Sequence, residues 1–171
     1  MLEVLLRHQV RFVLIGGFAA IAHGSPFPTE DIDITPEGSD ANLKRLSDAL
    51  GELGAKVRTE VDGGLPFAHD EVSLAAAGAW NLVTRYGDLD ISLIPSGTTG
   101  YPDLIREAID QAAFGLLIPT ASLADIIRSK QAANRLKDQR TLPVLREILA
   151  SRHDQRDTVD NAPQCSSKPT R

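Results

Sequence analysis

The spacing of apolar residues predicts short helices and strands that alternate along the first part of the chain. Apolar residues spaced by threes and fours predict helices, and β-branched apolar runs such as VRFVLI predict buried strands. Glycine pairs and prolines mark where these elements end. The predicted elements are a helix over 2–9, a strand over 10–15, a short helix over 18–23, a strand over 30–35, a helix over 40–53 and an edge strand over 56–60.

The second part of the chain continues the pattern with a hairpin and then mostly helices. Residues 62–78 contain three glycines and predict an irregular loop, and from Arg152 no apolar periodicity remains, which predicts a disordered tail over 152–171. The remaining elements are strands over 81–86 and 89–94 around a Gly87-Asp88 turn, helices over 102–113, 122–135 and 141–151, and a short strand over 116–119.

These elements predict one α/β (α+β) domain over residues 1–151. Its sheet core covers residues 1–119 and is a small mixed sheet, and a short C-terminal helical extension covers residues 120–151. A length of 171 residues with 42% hydrophobic residues suits a single domain with a real core.

Two short stretches alternate acidic and apolar residues. Residues 31–34 are Asp-Ile-Asp-Ile, and residues 88–91 are Asp-Leu-Asp-Ile. In a strand, a period of two places both carboxylates on one face. Adjacent carboxylates repel each other, so we expect either a fully solvated face or a cation between them. In the second stretch Asp90 is predicted inside the strand and Asp88 in the hairpin turn.

Charge and cysteine content narrow the class of protein. The net charge is −5, but residues 128–156 hold eight basic and three acidic residues, so the rear segment is basic and the rest is acidic. A pair of solvated helices explains this uneven charge as well as a phosphate-binding segment does. The single cysteine, Cys165, excludes a disulfide framework and fits a reducing cytoplasm. Early charges in the N-terminal segment and the lack of a long apolar run predict a protein that is neither exported nor membrane-bound.

Three aspartates and a glycine pair predict a site for metal and phosphate. Asp31, Asp33 and Asp90 offer oxygen ligands, which hard divalent cations such as Mg²⁺ prefer. Gly16 and Gly17 leave backbone N–H groups open to a phosphate at the start of a short helix. This combination is typical of phosphoryl or nucleotidyl transfer.

Four sequence motifs resemble those of a known family. LIGGFAAIAHGSP (14–26), TEDIDI (29–34) and GDLDISL (87–93) resemble the DNA polymerase beta-like nucleotidyltransferase superfamily. With SLADIIRSKQAANRLKD (122–138), they look like stand-alone bacterial proteins related to AbiEii-type abortive-infection toxins. Those proteins carry a lysine, an arginine and a Lys-Asp pair in a helical C-terminal segment, and the matching positions here are Lys130, Arg135, Lys137 and Asp138.

The resemblance implies that the protein moves a nucleotide from a nucleoside triphosphate, such as ATP, to a hydroxyl of RNA (tRNA included) or protein. Asp31 and Asp33 would bind Mg²⁺ or Mn²⁺, and Asp90 would complete the second metal site and accept the proton of the attacking hydroxyl. Thr29 would lie just ahead of the metal-binding strand. The nucleotide-binding residues implied are Gly16, Gly17, Thr29, Lys130 and Arg135.

The resemblance also implies a biological setting and leaves alternatives open. A cognate antitoxin or toxin would be the partner in a toxin–antitoxin or phage-defence pair. A second interpretation is an antitoxin-like minimal nucleotidyltransferase, although that group carries Gly-Ser where this chain has Gly16-Gly17. A third is a catalytically degenerate member that binds a nucleotide or a partner protein, and Phe27, where relatives have an arginine, favours it.

Overall fold

Helices and short strands alternate along the chain in the computed structural model, which describes residues 1–60, 63–113 and 115–160, with side chains up to Arg152. The helices are α1 (Leu2–Arg7), α2 (Gly16–Ala22), α3 (Asp40–Leu53), α4 (Glu71–Ala77), α5 (Tyr101–Leu104), α6 (Leu123–Ala133) and α7 (Leu136–Asp160). The strands are β1 (Phe12–Ile15), β2 (Asp31–Pro36), β3 (Lys56–Val57), β4 (Ala79–Thr84), β5 (Gly87–Ser92), β6 (Ile109–Ala113) and β7 (Leu116–Thr120).

All seven strands form one mixed sheet in the order β3-β4-β5-β2-β1-β7-β6. The β2–β5 and β1–β7 pairs are parallel, and the other neighbours are antiparallel. β2 and β5 are far apart in sequence, yet they lie side by side near the centre of the sheet. The predicted mixed α/β architecture is confirmed, and β3 lies at the sheet edge as expected, although it is shorter than the predicted strand.

Helix α3 shows how the apolar pattern builds the core. Its leucines recur at threes and fours, and Leu43, Leu46, Leu50 and Leu53 are all fully buried. The helix ends at Gly54, whose φ of 63° is the left-handed conformation that glycine adopts without strain. Burying one leucine contributes roughly 2 kcal/mol relative to exposure. The predicted helix over 40–53 is therefore confirmed at both ends.

The predicted helix over 102–113 is wrong. Helix α5 ends at Leu104, and residues 109–113 form β6, which pairs with β7 over five residue pairs. The segment has an amphipathic spacing that suits a helix, but pairing with β7 satisfies its backbone as the last strand of the sheet. Tertiary pairing has overridden the local helix propensity here.

The predicted irregular loop over 62–78 is wrong in its second half. Residues 71–77 form α4, and the Asp70 carboxylate accepts a hydrogen bond of 2.7 Å from the Ser73 backbone N–H. This is a capping box, and Gly78 at φ 69° closes the helix. The hairpin turn also differs from the prediction, since Arg85 and Tyr86 form it and Asp88 lies within β5.

The C-terminal helix is longer than the sequence predicts. Helix α7 begins at Leu136, contains Pro143 and continues to residue 160, so the predicted disorder is wrong for residues 152–160. The rest of that prediction, residues 161–171, lies outside the described residues. Over the described chain, no helix is both long enough and apolar enough to cross a membrane.

Candidate functional site

Three aspartates from the two central parallel strands converge on one face of the sheet. In the β2–β5 register, Asp33 lies opposite Asp90 and Asp31 lies opposite Asp88. The period of two in each strand places their side chains on the same face. One carboxylate oxygen from each of Asp31, Asp33 and Asp90 lies within 4.8 Å of the other two. The structure therefore brings together the three carboxylates that the sequence singled out.

The three carboxylates have unequal electrostatic surroundings. Burial, followed by the negative charges of Asp31 and Asp90, raises the pKa of Asp33 to about 6. Burial also raises the pKa of Asp90, against the opposing effect of Arg58. For Asp31 the effect of burial is outweighed by the Thr29 hydrogen bond and by more distant cations, so its pKa is lowered. Negative charge is thus least well compensated at Asp33.

Thr29 and the glycine pair support the carboxylates directly. The Thr29 hydroxyl donates a hydrogen bond to Asp31, and the Gly17 N–H donates one of 3.4 Å to Asp33. A Cβ atom on Gly16 would lie 2.0 Å from Asp33 Oδ2, and one on Gly17 would lie 2.5 Å from Thr29 Oγ1. The glycines are therefore needed for the close approach of α2 to β2. Their predicted contact with phosphate stays a prediction.

Arg58 is a site residue that the sequence did not reveal. It follows β3, and its Nη1 lies 2.6 Å from Asp88 Oδ2 while its Nη2 lies 2.8 Å and 3.1 Å from the two oxygens of Asp90. Asn81 lies opposite Asp90 on β4, and with its amide nitrogen turned toward Asp90 it donates at 3.2 Å and 3.3 Å. A basic residue just after an edge strand carries no sequence signal for contacting a carboxylate 32 residues away.

Asp138, a carboxylate separate from the three on the sheet face, pairs with the cations of the helical extension. Asp138 is fully buried and lies 3.2 Å from Lys130 Nζ and 2.7 Å from Arg135 Nε. It also accepts the Arg135 backbone N–H at 3.3 Å, as the third residue of a helix does in a capping box. Burial by itself raises the pKa of Asp138, but these hydrogen bonds outweigh it and the pKa is lowered.

The helical extension and the carboxylate face enclose a cleft. One cavity of about 290 Å³ and a neighbouring one of about 130 Å³ are both lined by Gly16, Asp33, Lys130 and Arg135. Lys137 lines the smaller cavity. The predicted residues Lys130 and Arg135 thus lie across the cleft from the carboxylates. Their contact with a nucleotide stays a prediction.

The donor set suits a hard divalent cation. Three carboxylates provide oxygen ligands, and such ligands are the ones that Mg²⁺ and Mn²⁺ prefer. A bound cation also removes the repulsion that raises the pKa of Asp33. The residues present therefore fit the metal that the sequence resemblance implies.

Comparisons with known proteins support the fold. Neither a protein-family model nor a curated protein matches the sequence. The chain is similar to the lincosamide antibiotic adenylyltransferase LnuA bound to lincomycin, at 16% identity over 86% of this chain and 92% of that chain, with a TM-score of 0.57.

Two structures of the antibiotic-resistance factor ANT(2'')-Ia are also similar. The crystal structure with adenylyl-2''-tobramycin is 17% identical over 92% of this chain and 94% of that chain, with a TM-score of 0.54. The solution structure is 16% identical over 95% and 94%, with a TM-score of 0.52. At such identities the likeness establishes the fold alone: this chain has the fold of LnuA and ANT(2'')-Ia.

Proposed function

We propose that this chain is a metal-dependent nucleotidyltransferase, which moves a nucleoside monophosphate from a nucleoside triphosphate to an acceptor hydroxyl. The observation that carries the proposal is the convergence of Asp31, Asp33 and Asp90 within 4.8 Å of one another. The nucleotidyltransferase fold and the basic residues across the cleft support it.

Asp31, Asp33 and Asp90 hold Mg²⁺ or Mn²⁺ in this proposal, and the metal supplies charge neutralisation on the reacting phosphate and the leaving pyrophosphate. The acceptor oxygen forms a bond to the α-phosphorus while the bond to the bridging oxygen of pyrophosphate breaks. Asp90 takes the proton of the acceptor hydroxyl. Thr29 orients Asp31 through its hydrogen bond.

The triphosphate lies in the cleft on the side of the helical extension. Lys130 and Arg135 line both cavities, and Lys137 lines the smaller one. Asp138 fixes Lys130 and the Nε of Arg135, so these two cations are ordered before the triphosphate binds. Ordered cations lose less side-chain entropy when they contact a phosphate. Gly16 and Gly17 contribute backbone N–H groups to the same region.

The proposal extends to the class of acceptor and to the biological setting. The AbiEii-like motifs favour a hydroxyl on RNA, tRNA included, or on a protein, and a role in a toxin–antitoxin or phage-defence pair with a cognate partner. The structural neighbours are described with lincomycin and with adenylyl-2''-tobramycin, which favour a small-molecule hydroxyl instead. The deciding experiment therefore includes all three acceptor classes.

The experiment is a transfer assay with each of the four α-³²P-labelled nucleoside triphosphates and Mg²⁺ or Mn²⁺. Total RNA, cell protein, and a panel of lincosamides and aminoglycosides are supplied separately as acceptors. Label should move to one acceptor class with wild type and with Asp110→Asn, an exposed control on β6, and should stay on the triphosphate with the Asp31→Ala/Asp33→Ala variant. Label transfer that survives the double substitution would contradict the proposal.

A binding protein without catalysis is the second candidate. The pairing of Arg58 with Asp90 favours it, because Asp90 is the residue assigned to the second metal and the proton. This candidate predicts metal-dependent binding of a nucleoside triphosphate, measured by equilibrium dialysis, with no label transferred to any acceptor.

A further inference from the structure

Arg58 contacts the carboxylates of β5 from the β3–β4 edge of the sheet. Its backbone N–H donates to Asn81 O at 2.8 Å, so β4 fixes its position beside β5. Its guanidinium bridges Asp88 and Asp90 and is only partly exposed. Burial lowers the pKa of Arg58, but the hydrogen bond to Asp88 and then the charge of Asp90 outweigh burial and raise it.

Both oxygens of Asp90 are engaged by donors on the chain itself. Arg58 Nη2 lies within 3.1 Å of each oxygen, and the Asn81 amide reaches both as well. A carboxylate that accepts these hydrogen bonds has few lone pairs left for a metal ion. A divalent cation at Asp90 also repels a guanidinium held 2.8 Å from the same oxygen.

We propose that Arg58 is an internal cation that competes with a metal ion for Asp90, so that metal binding at Asp90 requires the Arg58–Asp90 pair to open. The pair with Asp88 keeps Arg58 beside the site when it leaves Asp90, since Asp88 binds the other terminal nitrogen at 2.6 Å. Arg58 thereby sets the metal concentration at which the site fills. This inference rests on the metal site of the proposed function.

The test is the affinity for Mn²⁺ alone, measured by electron paramagnetic resonance of the free ion. Arg58→Gln removes the competitor, and we expect its dissociation constant for Mn²⁺ to be about fivefold lower than that of wild type, the size of effect that one partly exposed ion pair gives. Lys56→Gln is the matched control. It removes the same charge two residues away, on β3, and Lys56 makes no ion pair among residues 1–60, 63–113 and 115–160.

The direction of the change separates the possible results. A lower dissociation constant in Arg58→Gln, with less than a twofold change in Lys56→Gln, supports competition. An equal decrease in both variants means a general charge effect and overturns the inference. A higher dissociation constant in Arg58→Gln also overturns it, because Arg58 then supports Asp90 in a metal-binding position. If neither wild type nor Arg58→Gln binds Mn²⁺, the metal site and the inference fail together.

A measurement on wild type keeps the inference testable if Arg58→Gln folds poorly. Guanidinium nitrogen signals from ¹⁵N-arginine-labelled protein report rotation about the Nε–Cζ bond. The Arg58 guanidinium should rotate slowly without metal, because two carboxylates bind it, and faster with saturating Mg²⁺. Slow rotation that persists at saturating Mg²⁺ would contradict the proposal.

Discussion

Asp33 lines the cleft, whereas Asp138 is buried behind Lys130 and Arg135, which line the cleft across from Asp33, and the surroundings of the two carboxylates are opposite. Asp138 is fully buried, and burial raises its pKa, yet the hydrogen bonds and charges of Arg135 and Lys130 outweigh burial and lower the pKa. Asp33 is partly buried among like charges, and its pKa is raised to about 6. The more buried carboxylate is therefore the more easily ionised one.

The difference shows that burial alone does not separate a structural carboxylate from a metal-binding one, because the partners of each carboxylate decide whether the effect of burial is offset. The chain supplies the cations for Asp138 from nearby positions, Lys130 on α6 and Arg135 in the link just before α7. At Asp33 the strongest charge effects come from Asp31 and Asp90, and they outweigh those of Gly17 and Lys137, so a bound cation would supply the missing compensation. Uncompensated groups of this kind concentrate at functional sites.

The largest expected effect is on transfer activity. Asp33→Asn should lower kcat by about a thousandfold or more, because a metal ligand is lost. Asp138→Asn should leave kcat within about tenfold and raise the KM for the triphosphate, because it disturbs the order of Lys130 and Arg135. Steady-state kinetics on the two purified variants measure both constants. Equal losses of kcat would contradict the different roles assigned to Asp33 and Asp138.

Folding stability should depend on Asp138, although transfer activity depends mainly on Asp33. Asp138→Ala leaves Lys130, whose side chain is 12% exposed, without its partner, and should lower the free energy of unfolding by about 3 kcal/mol. Urea unfolding at pH 7 measures this change. Lys44→Ala, which breaks an exposed pair with Asp48, is the control and should cost less than about 1 kcal/mol. A loss at Asp138 as small as the control's would mean that the buried pairs do not stabilise the extension.

The glycine before α2 gives a narrower test of how the site is built. Gly16→Ala places a Cβ 2.0 Å from Asp33 Oδ2, whereas Gly54→Ala at a similar φ meets only Arg85 at 3.5 Å. Both variants carry the backbone strain of a positive φ, so the difference between them isolates the clash. We expect Gly16→Ala to be less stable than Gly54→Ala by about 2 kcal/mol in urea unfolding. Equal stabilities would mean that Asp33 has room to move away.

The smallest expected effect is the pH dependence that Asp33 imposes on stability without metal. Because its pKa is higher in the folded state than in the unfolded state, the folded state binds the extra proton between these values. The contribution of the Asp33 carboxyl to the free energy of unfolding is fully present below its unfolded pKa of about 4. It is lost as the pH rises through the folded pKa of about 6.

Asp33→Asn removes this loss, so its free energy of unfolding should rise relative to wild type by roughly 1 to 2 kcal/mol between pH 5 and pH 7.5. Urea unfolding in the presence of a chelator measures the difference, with Asp110→Asn as the exposed control. A difference between Asp33→Asn and wild type that stays constant with pH would contradict the raised pKa of Asp33.

How far sequence predicts this site depends on how local each signal is. The alternation in residues 31–34 and 88–91 is local, and it places three carboxylates on one sheet face correctly. Arg58 is part of the site because β3 pairs with β4 and β4 with β5, a chain of pairings that no local pattern encodes. The parallel pairing of β2 with β5 also arises only in the folded sheet.

The wrong predictions also arise where contacts between distant parts of the chain decide the structure. Residues 109–113 form a strand because β7 lies beside them, although their spacing suits a helix. Helix α4 had a readable signal in Asp70, Ser73 and Gly78, which the glycines earlier in the segment obscured. Asp138 was matched only by resemblance, since its role depends on two helices meeting.

A titration of wild type and Asp33→Asn with Mn²⁺, followed by calorimetry at pH 7.5, determines whether Asp33 is a metal ligand. Asp138→Asn is the control, since it removes a carboxylate of the same region that already has its cations. We predict that wild type and Asp138→Asn bind Mn²⁺ and that Asp33→Asn binds it at least tenfold more weakly. Equal binding by Asp33→Asn and wild type, or no binding by wild type, would contradict a metal site at Asp31, Asp33 and Asp90.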